Sequence, residues 1–209
     1  MKSVIFDIDG TLWDSRALVA EGYNIQLRAE GYDHLCVTAE DLRPLFGKVM
    51  TEIADAMLAE IPMPQRYELM ERCMDTENRY LAENECKIGY VGVKETLEEL
   101  AKQYRLFIVS NAQCGYPELC MEKLGIGHLI EGHLCFGDTG MEKGQTILEL
   151  MQRHGITEAV YIGDTQGDYE ATLVANIPFI WAAYGFGNPE GAAGRITDIR
   201  QLPETLKVL

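Results

Sequence analysis

The sequence predicts an α/β fold: a parallel sheet covered by helices on both faces, with an all-helical segment inserted after the first strand. Three observations predict it. Short β-prone apolar runs recur at Val4-Ile5-Phe6, 105–109, Leu134-Cys135-Phe136, 159–162 and Pro178-Phe179-Ile180-Trp181. Each has the length of a strand and lacks a polar face, as strands buried on both sides do. From residue 89 onward such runs alternate with helical periodicity, which calls for parallel strands joined by crossover helices. Between residues 13 and 87 no strand run occurs and the apolar spacing is helical. The expected architecture is therefore a Rossmann-like core from residues 1–13 and 89–209, interrupted by a helical segment at 14–88.

The elements follow in order. Val4-Ile5-Phe6 is a central strand, and Asp7 comes at its carboxyl end, where ligands sit in open α/β sheets. In the inserted segment, Leu18, Gly22, Ile25 and Ala29 mark one face of a first helix that stops at Gly31. Thr38-Ala39-Glu40-Asp41 reads as a capping box opening a second. Ile53, Met57 and Ile61 extend a third up to Pro62, and Tyr67, Met70, Met74 and Leu81 stripe a long fourth. Beyond residue 89 the periodicity predicts helices over 93–102 and 144–154, and Pro178 to Trp181 is the last expected strand.

Charged or phosphate-friendly groups stand at four of the expected strand ends. In Asp7-Ile8-Asp9-Gly10-Thr11 the alternation of side chains turns Asp7 and Asp9 to the same side. Two carboxylates beside one ligand suit a nucleophile and a proton donor. Gly10 allows the backbone to approach an oxyanion, and Thr11 can donate or cap; the same residues also read as a turn with Asp9 as a helix cap. Ser110-Asn111 follows the second strand and offers uncharged donors for a phosphate, or simply a helix cap. Lys143 opens a helix; a fixed cation there screens a phosphoryl group from an attacking carboxylate, while an isolated lysine is otherwise a surface residue. In Gly163-Asp164-Thr165-Gln166-Gly167-Asp168, Asp164 is at a strand tip and Asp168 in the first helical turn. Magnesium takes oxygen ligands of this kind, although Asp168 alone could serve the helix dipole.

Taken together, these runs resemble the four ordered motifs of the haloacid dehalogenase-like superfamily, in its phosphoglycolate phosphatase and β-phosphoglucomutase-like branch. The resemblance implies that Asp7 is the nucleophile, forming an aspartyl-phosphate, and that Asp9 is the general acid and then the base. It implies that Gly10, Thr11, Ser110, Asn111 and Lys143 bind phosphate, and that Asp7, Asp9, Asp164 and Asp168 hold Mg2+. The helical insertion resembles the C1-type cap of that branch, which closes over the site; Arg43 and Lys48, at a helix junction, occupy places where relatives carry substrate-selecting residues. Two departures stand out: Gly144 follows Lys143 where relatives often have proline, and Asn176 stands where they often have glycine. The expected activity is magnesium-dependent hydrolysis of a small phosphate monoester. The alternatives are a sugar-phosphate phosphomutase and, in another class, a non-catalytic phosphate-binding protein.

Composition narrows the partners. The hydrophobic fraction is 47% and the charged fraction 24%, those of an ordinary globular chain. A net charge of −15, from 18 basic and 33 acidic residues, argues against nucleic acid and anionic membranes. The inserted segment is itself acidic, with 8 basic and 15 acidic residues over 14–88. The remaining expectation is a small phosphorylated metabolite, met by a monomer or homodimer. The six cysteines (36, 73, 86, 114, 120, 135) contain no C-x-x-C pair, so their spacing suggests neither a zinc site nor a compact disulfide framework. Mostly buried, reduced thiols in a cytoplasmic protein are expected, with Cys114 packed rather than reactive. The start of the chain leaves no room for a signal peptide before the first strand, and no apolar stretch reaches the ~20 residues of a membrane span. The sequence Tyr184-Gly185-Phe186-Gly187 reads either as the mouth of a site or as a plain turn.

Overall fold

A computed structural model describes residues 2–85 and 87–208; Cys86, one of the six cysteines, lies outside them. In chain order the elements are β1 (Ser3–Phe6), α1 (Arg16–Ala29), α2 (Ala39–Leu42), α3 (Met50–Met57), α4 (Gln65–Glu83) and α5 (Val93–Leu100). There follow β2 (Arg105–Ser110), α6 (Tyr116–Leu124), β3 (Ile130–Cys135), α7 (Phe136–Thr139) and α8 (Lys143–His154). The chain continues through β4 (Ala159–Gly163), α9 (Gln166–Ala175), β5 (Phe179–Ala182), β6 (Gly194–Ile196) and α10 (Leu202–Leu206). It divides into two compact units, Met1–Asp14 with Ile88–Leu209, and Ser15–Lys87.

The first unit is a six-stranded sheet in the order β3-β2-β1-β4-β5-β6, with every neighbouring pair parallel. β1 pairs with β2 on one side and β4 on the other, so the order reverses at β1 and opens a crevice at the carboxyl ends of these strands. Ile5, Phe107, Val109 and Tyr161 project to one face and pack with Ile147 and Leu150 of α8 and Ala171 and Ala175 of α9. By alternation, Val4 and Phe6 turn to the other face, where α5 packs on β2 and on α10, and α10 on β6. β1 is wholly buried, Ser3 included, as its central place in the sheet requires. The junction with the second unit lies one residue from the expected 13/14 and 88/89. Asp14 N donates to Ile88 O at 2.9 Å and Trp13 bridges Gly89, which ties both residues to the sheet unit.

Several sequence expectations need correction here. β6 was missed, because a three-residue strand containing Gly194 and Arg195 has neither length nor alternation to show. Phe136 does not extend β3; it begins the short α7, whose start is fixed by a capping box between Cys135 and Asp138. The 93–102 helix ends at Leu100, and the 144–154 helix begins one residue earlier, at Lys143. Asn176 takes the left-handed conformation at the end of α9 (φ 54°), which asparagine tolerates without glycine.

The second unit is helical throughout. Thr38 and Asp41 form the expected reciprocal capping box, Thr38 N donating to Asp41 Oδ2 at 2.9 Å. The buried face of α1 is Val19, Ala20, Tyr23, Asn24 and Leu27; of the expected stripe only Gly22 is buried, and Ile25 is 37% exposed. Two long-range contacts rotate the helix. A Cβ at Gly22 would stand 2.8 Å from Glu77 Cα, so the glycine lets α1 and α4 meet closely. The buried Asn24 amide meanwhile pairs in both directions with the Val37 backbone, each bond at 2.8 Å. α3 stops at Met57 rather than running on to Ile61. The Arg66 guanidinium accounts for this by satisfying the carbonyls of the unwound segment, donating to Leu58 O, Ala59 O and Ile61 O as well as to Asp55. In α4 the buried residues include Met70, Cys73 and Leu81, with Tyr67 and Met74 only half-buried. Among the described residues no helix is long and apolar enough to cross a membrane.

Candidate active site

The carboxyl edge of β1, β2 and β4 gathers the charged residues of the sheet unit. β1 ends at Phe6, and Asp7 N still donates to Ile162 O of β4 at 2.9 Å, which fixes the Asp7 backbone in the sheet. The chain then folds back, with Leu12 N donating to Ile8 O at 2.7 Å. Gly10 takes φ +81° in this loop, and a Cβ there would lie 2.6 Å from Asp164 Cγ. Glycine is thus required twice, for the left-handed turn and for the approach of Asp164.

Three carboxylates and one ammonium form the centre. Asp7, Asp164 and Asp168 are 2%, 0% and 0% exposed, and each contributes an oxygen within 4.8 Å of the others. Lys143, itself buried, donates to Asp7 Oδ1 at 2.9 Å and to Asp168 Oδ1 at 2.6 Å. The other oxygen of Asp168 caps α9, accepting from Asp164 N, Thr165 N and Thr165 Oγ1. Asp168 therefore serves the helix end and the cluster at once. Tyr161 lies beneath, its hydroxyl donating to Val109 O at 2.8 Å and its ring centroid 5.9 Å from Lys143 Nζ.

The electrostatics follow from burial. Desolvation, and then the charge of Asp168, raise Asp7 well above the usual carboxylate range, and Lys143 only partly opposes them. The same two causes push Asp164 up to about 7. Lys143 is raised because Asp168 and Asp7 outweigh the cost of burying its own charge. Three carboxylates around one ammonium leave two negative charges uncompensated, an expensive arrangement in a buried site. One oxygen of Asp164, Oδ1, is buried without a hydrogen-bond partner. A hard divalent cation favours anionic oxygens and would offset this charge, so the donor set fits magnesium.

Asp9 stands apart from this group. It is 8% exposed, and its Oδ1 accepts from Trp13 Nε1 and from Tyr116 Oη, each at 2.8 Å. The two aromatic rings meet edge to face at 5.4 Å. Thr11 Oγ1 is buried without a hydrogen-bond partner, and Ser110 Oγ accepts from Ala112 N at 3.3 Å. Asn111, half-buried, follows Ser110 at the end of β2. Arg43 and Lys48 belong to the helical unit and are about half exposed, each 3.9 Å from an acid of its own segment, Glu40 and Glu52.

Sequence reasoning missed four contributors. Trp13 reaches Asp9 from four positions on, through the fold-back of the loop after β1, and Tyr116 reaches it from α6, 107 positions away. Tyr161 was hidden inside an apolar strand. The loop after β5 gave a partial signal in its two glycines. Phe186 N and Gly187 N donate to Asp164 Oδ2 at 2.6 and 3.3 Å, and Tyr184 Oη donates to Thr11 O at 2.8 Å. A Cβ at Gly185 would stand 2.5 Å from Asp164 Oδ2, and one at Gly187 2.6 Å from Asp164 O. The glycines let this loop close directly on Asp164. Two of the described cysteines also depart from expectation, since Cys36 and Cys114 are exposed.

Comparison with known proteins identifies the family. The family model for haloacid dehalogenase-like hydrolases matches residues 4–182. Phosphoglycolate phosphatase of Aliivibrio fischeri is 25% identical over 210 residues, 95% of this chain and 91% of the relative. That of Agrobacterium fabrum is 30% identical over 192 residues, 87% of this chain and 80% of the relative. Among solved structures, a protein described as a predicted phosphoglycolate phosphatase from Haemophilus somnus 129PT superposes with a TM-score of 0.82 at 22% identity, over 98% of this chain and 97% of the other. A haloacid dehalogenase-like family hydrolase from Streptococcus pneumoniae also gives 0.82, at 19% identity and the same coverage. These two share the fold. With the family match spanning most of the sheet and every residue of its charged centre, the chain belongs to the haloacid dehalogenase-like hydrolases, in their phosphoglycolate phosphatase-like branch.

Proposed function

We propose that the chain is a magnesium-dependent phosphatase that hydrolyses a small phosphate monoester through a covalent intermediate on Asp7. One observation carries this reading: the buried Asp7 carboxylate, held at 2.9 Å by Lys143 beside Asp164 and Asp168. An Asp7 oxygen attacks phosphorus as the ester P–O bond breaks, and Asp9 gives its proton to the departing alkoxide. Asp9, now a carboxylate, takes a proton from the water that attacks the phosphoryl group, which releases phosphate and restores Asp7. Lys143 offsets the charge of the phosphoryl oxygens and anchors the nucleophile. Thr11, Ser110 and Asn111 supply uncharged hydrogen-bonding groups for the same oxygens, and Gly10 leaves the backbone accessible. Asp7, Asp164 and Asp168 would hold Mg2+, with Asp9 at its margin; bound there, the ion supplies charge neutralisation at the phosphate.

The names of the curated relatives put phosphoglycolate first among substrates to try, ahead of sugar phosphates and nucleoside monophosphates. The test is phosphate release across such a panel, with magnesium and with chelator. Asp7→Asn keeps the side-chain shape and removes the attacking charge, so turnover should fall by at least about a thousandfold with the fold intact. Borohydride trapping followed by mass spectrometry should label Asp7, and in oxygen-18 water the label should enter the released phosphate. A label on a serine or histidine, or full activity in chelator, would refute the mechanism. Transfer of the phosphoryl group to a second hydroxyl without solvent oxygen would make the protein a mutase.

A further inference from the structure

Outside the carboxylate centre, one other cluster of metal-ligating groups comes together among the described residues. Cys114 lies in the loop between β2 and α6, Cys135 at the end of β3, and Asp138 in α7. Their sulfur and oxygen atoms fall within 4.8 Å of one another. Cys135 Sγ donates to Asp138 Oδ2 at 3.1 Å, and Cys114 Sγ approaches Asp138 Oδ1 at 3.6 Å. We propose that Cys114, Cys135 and Asp138 form a second cation site, for a thiophilic divalent ion of the zinc type.

Helix capping explains only half of this arrangement. The reciprocal contacts of Cys135 and Asp138 form the capping box of α7, in which a thiol replaces the usual hydroxyl. Cys114 has no part in that box, yet it reaches the other oxygen of the same carboxylate from a loop 24 positions away in sequence. The backbone is shaped for this approach. A Cβ at Gly137 would lie 2.9 Å from Cys114 Sγ, and Gly137 N donates to Ala112 O at 3.1 Å, tying the two segments together. The exposed Cys114 and Asp138 leave the site open to solvent, while the buried Cys135 anchors it.

The ligand chemistry selects the ion. Two thiolates and one carboxylate suit zinc and its analogues, and the three protein ligands leave a fourth position for water. Magnesium, which prefers oxygen alone, is matched by the Asp7, Asp164 and Asp168 group instead. Binding is a ligand exchange without redox change. The ion forms two bonds to sulfur and one to Asp138 oxygen, the two S–H bonds break, and two protons pass to solvent. A peroxide-sensing pair is the poorer fit. Burial and Asp138 raise both thiols, which lowers the thiolate fraction that oxidants attack but not the ability of a metal to displace the protons.

This site is independent of the proposed phosphatase reaction, and its test reads no activity. The full chain, stripped of metal, fully reduced and saturated with magnesium, is titrated with cobalt(II) as a spectroscopic probe. The expected result is one equivalent bound with thiolate-to-cobalt charge-transfer absorbance, two protons released per ion, and loss of the absorbance when zinc is added. Cys114→Ser, at an exposed position, should keep the fold by circular dichroism, weaken binding at least about tenfold and diminish the absorbance. Asp138→Asn should weaken binding while leaving both sulfur bonds, and Cys36→Ser should change nothing. Absence of the absorbance in the reduced protein, or its undiminished persistence in Cys114→Ser, would overturn the proposal.

Discussion

At the scale of single residues, the proposed chemistry separates two aspartates only two positions apart. Asp7 faces a lysine and two carboxylates, whereas Asp9 is gripped on one oxygen by Trp13 and Tyr116. Donors fixed on one oxygen orient the carboxyl group, so the two aromatic residues act as positioning residues for the proton transfer assigned to Asp9. A hydrogen bond to a charged group contributes about 1.5–3 kcal/mol, or about 10- to 150-fold in rate where it acts in the transition state. Tyr116→Phe should therefore lower kcat by about that factor with KM little changed, as measured by steady-state kinetics on the substrate found in the panel. A rise in KM alone would instead place Tyr116 in substrate binding. Tyr116 was not legible as a partner of Asp9, because a side chain brought in by α6 leaves no trace in the spacing around β1; Trp13 is near in sequence, but its contact depends on the fold-back of the loop after β1.

At the scale of elements, the loop after β5 does for Asp164 what Trp13 and Tyr116 do for Asp9. Its backbone amides hold Asp164 Oδ2, and Asp164 Oδ1 is left buried without a hydrogen-bond partner. The absence of a side chain at Gly185 is what allows the approach. Gly185→Ala should push the loop away, release both amide bonds and misplace the carboxylate. The sheet should survive, since the loop lies beyond β5. The expected outcome is a loss of at least about tenfold in magnesium affinity, seen as a smaller magnesium-induced rise in Tm than the native chain shows. An unchanged rise would mean that Asp164 has no part in holding the ion. The element boundaries show the same division between local and distant causes. Thr38–Asp41 was legible as a capping box because its partners lie three residues apart, and the structure adds a second box of the same spacing at Thr165–Asp168. The end of α3 was not, because Arg66 decides it from the next helix.

At the scale of the whole molecule, the chain passes from the sheet unit to the helical unit at 14/15 and returns at 87/88. These crossings are adjacent, with Asp14 N bonded to Ile88 O and Trp13 bridged to Gly89. A short flexible linker can therefore replace the helical unit without stretching the sheet. A chain with residues 15–87 replaced by a few glycines and serines should fold cooperatively, retain α/β circular dichroism and still be stabilised by magnesium. Failure of that chain to fold would show that the sheet unit depends on the helical one. The helical unit has its own tertiary contacts to rely on, in the close approach of α1 and α4 at Gly22 and the Asn24–Val37 pair.

The sequence by itself determined the class of the fold, the central place of the first strand, and the edge of the sheet on which the charged residues stand. These depend on apolar runs, alternation and capping, all set by neighbours a few positions apart. It also determined that Asp7, Asp164 and Asp168 would end strands or begin a helix on that edge. Only the tertiary structure decided which charges meet. Lys143 spans Asp7 and Asp168, Asp9 meets Tyr116, the glycine loop closes on Asp164, and Cys114 arrives beside Cys135. Each of these joins segments far apart in the chain through a side chain or a missing Cβ, and contacts of that range are fixed by packing rather than by any local pattern.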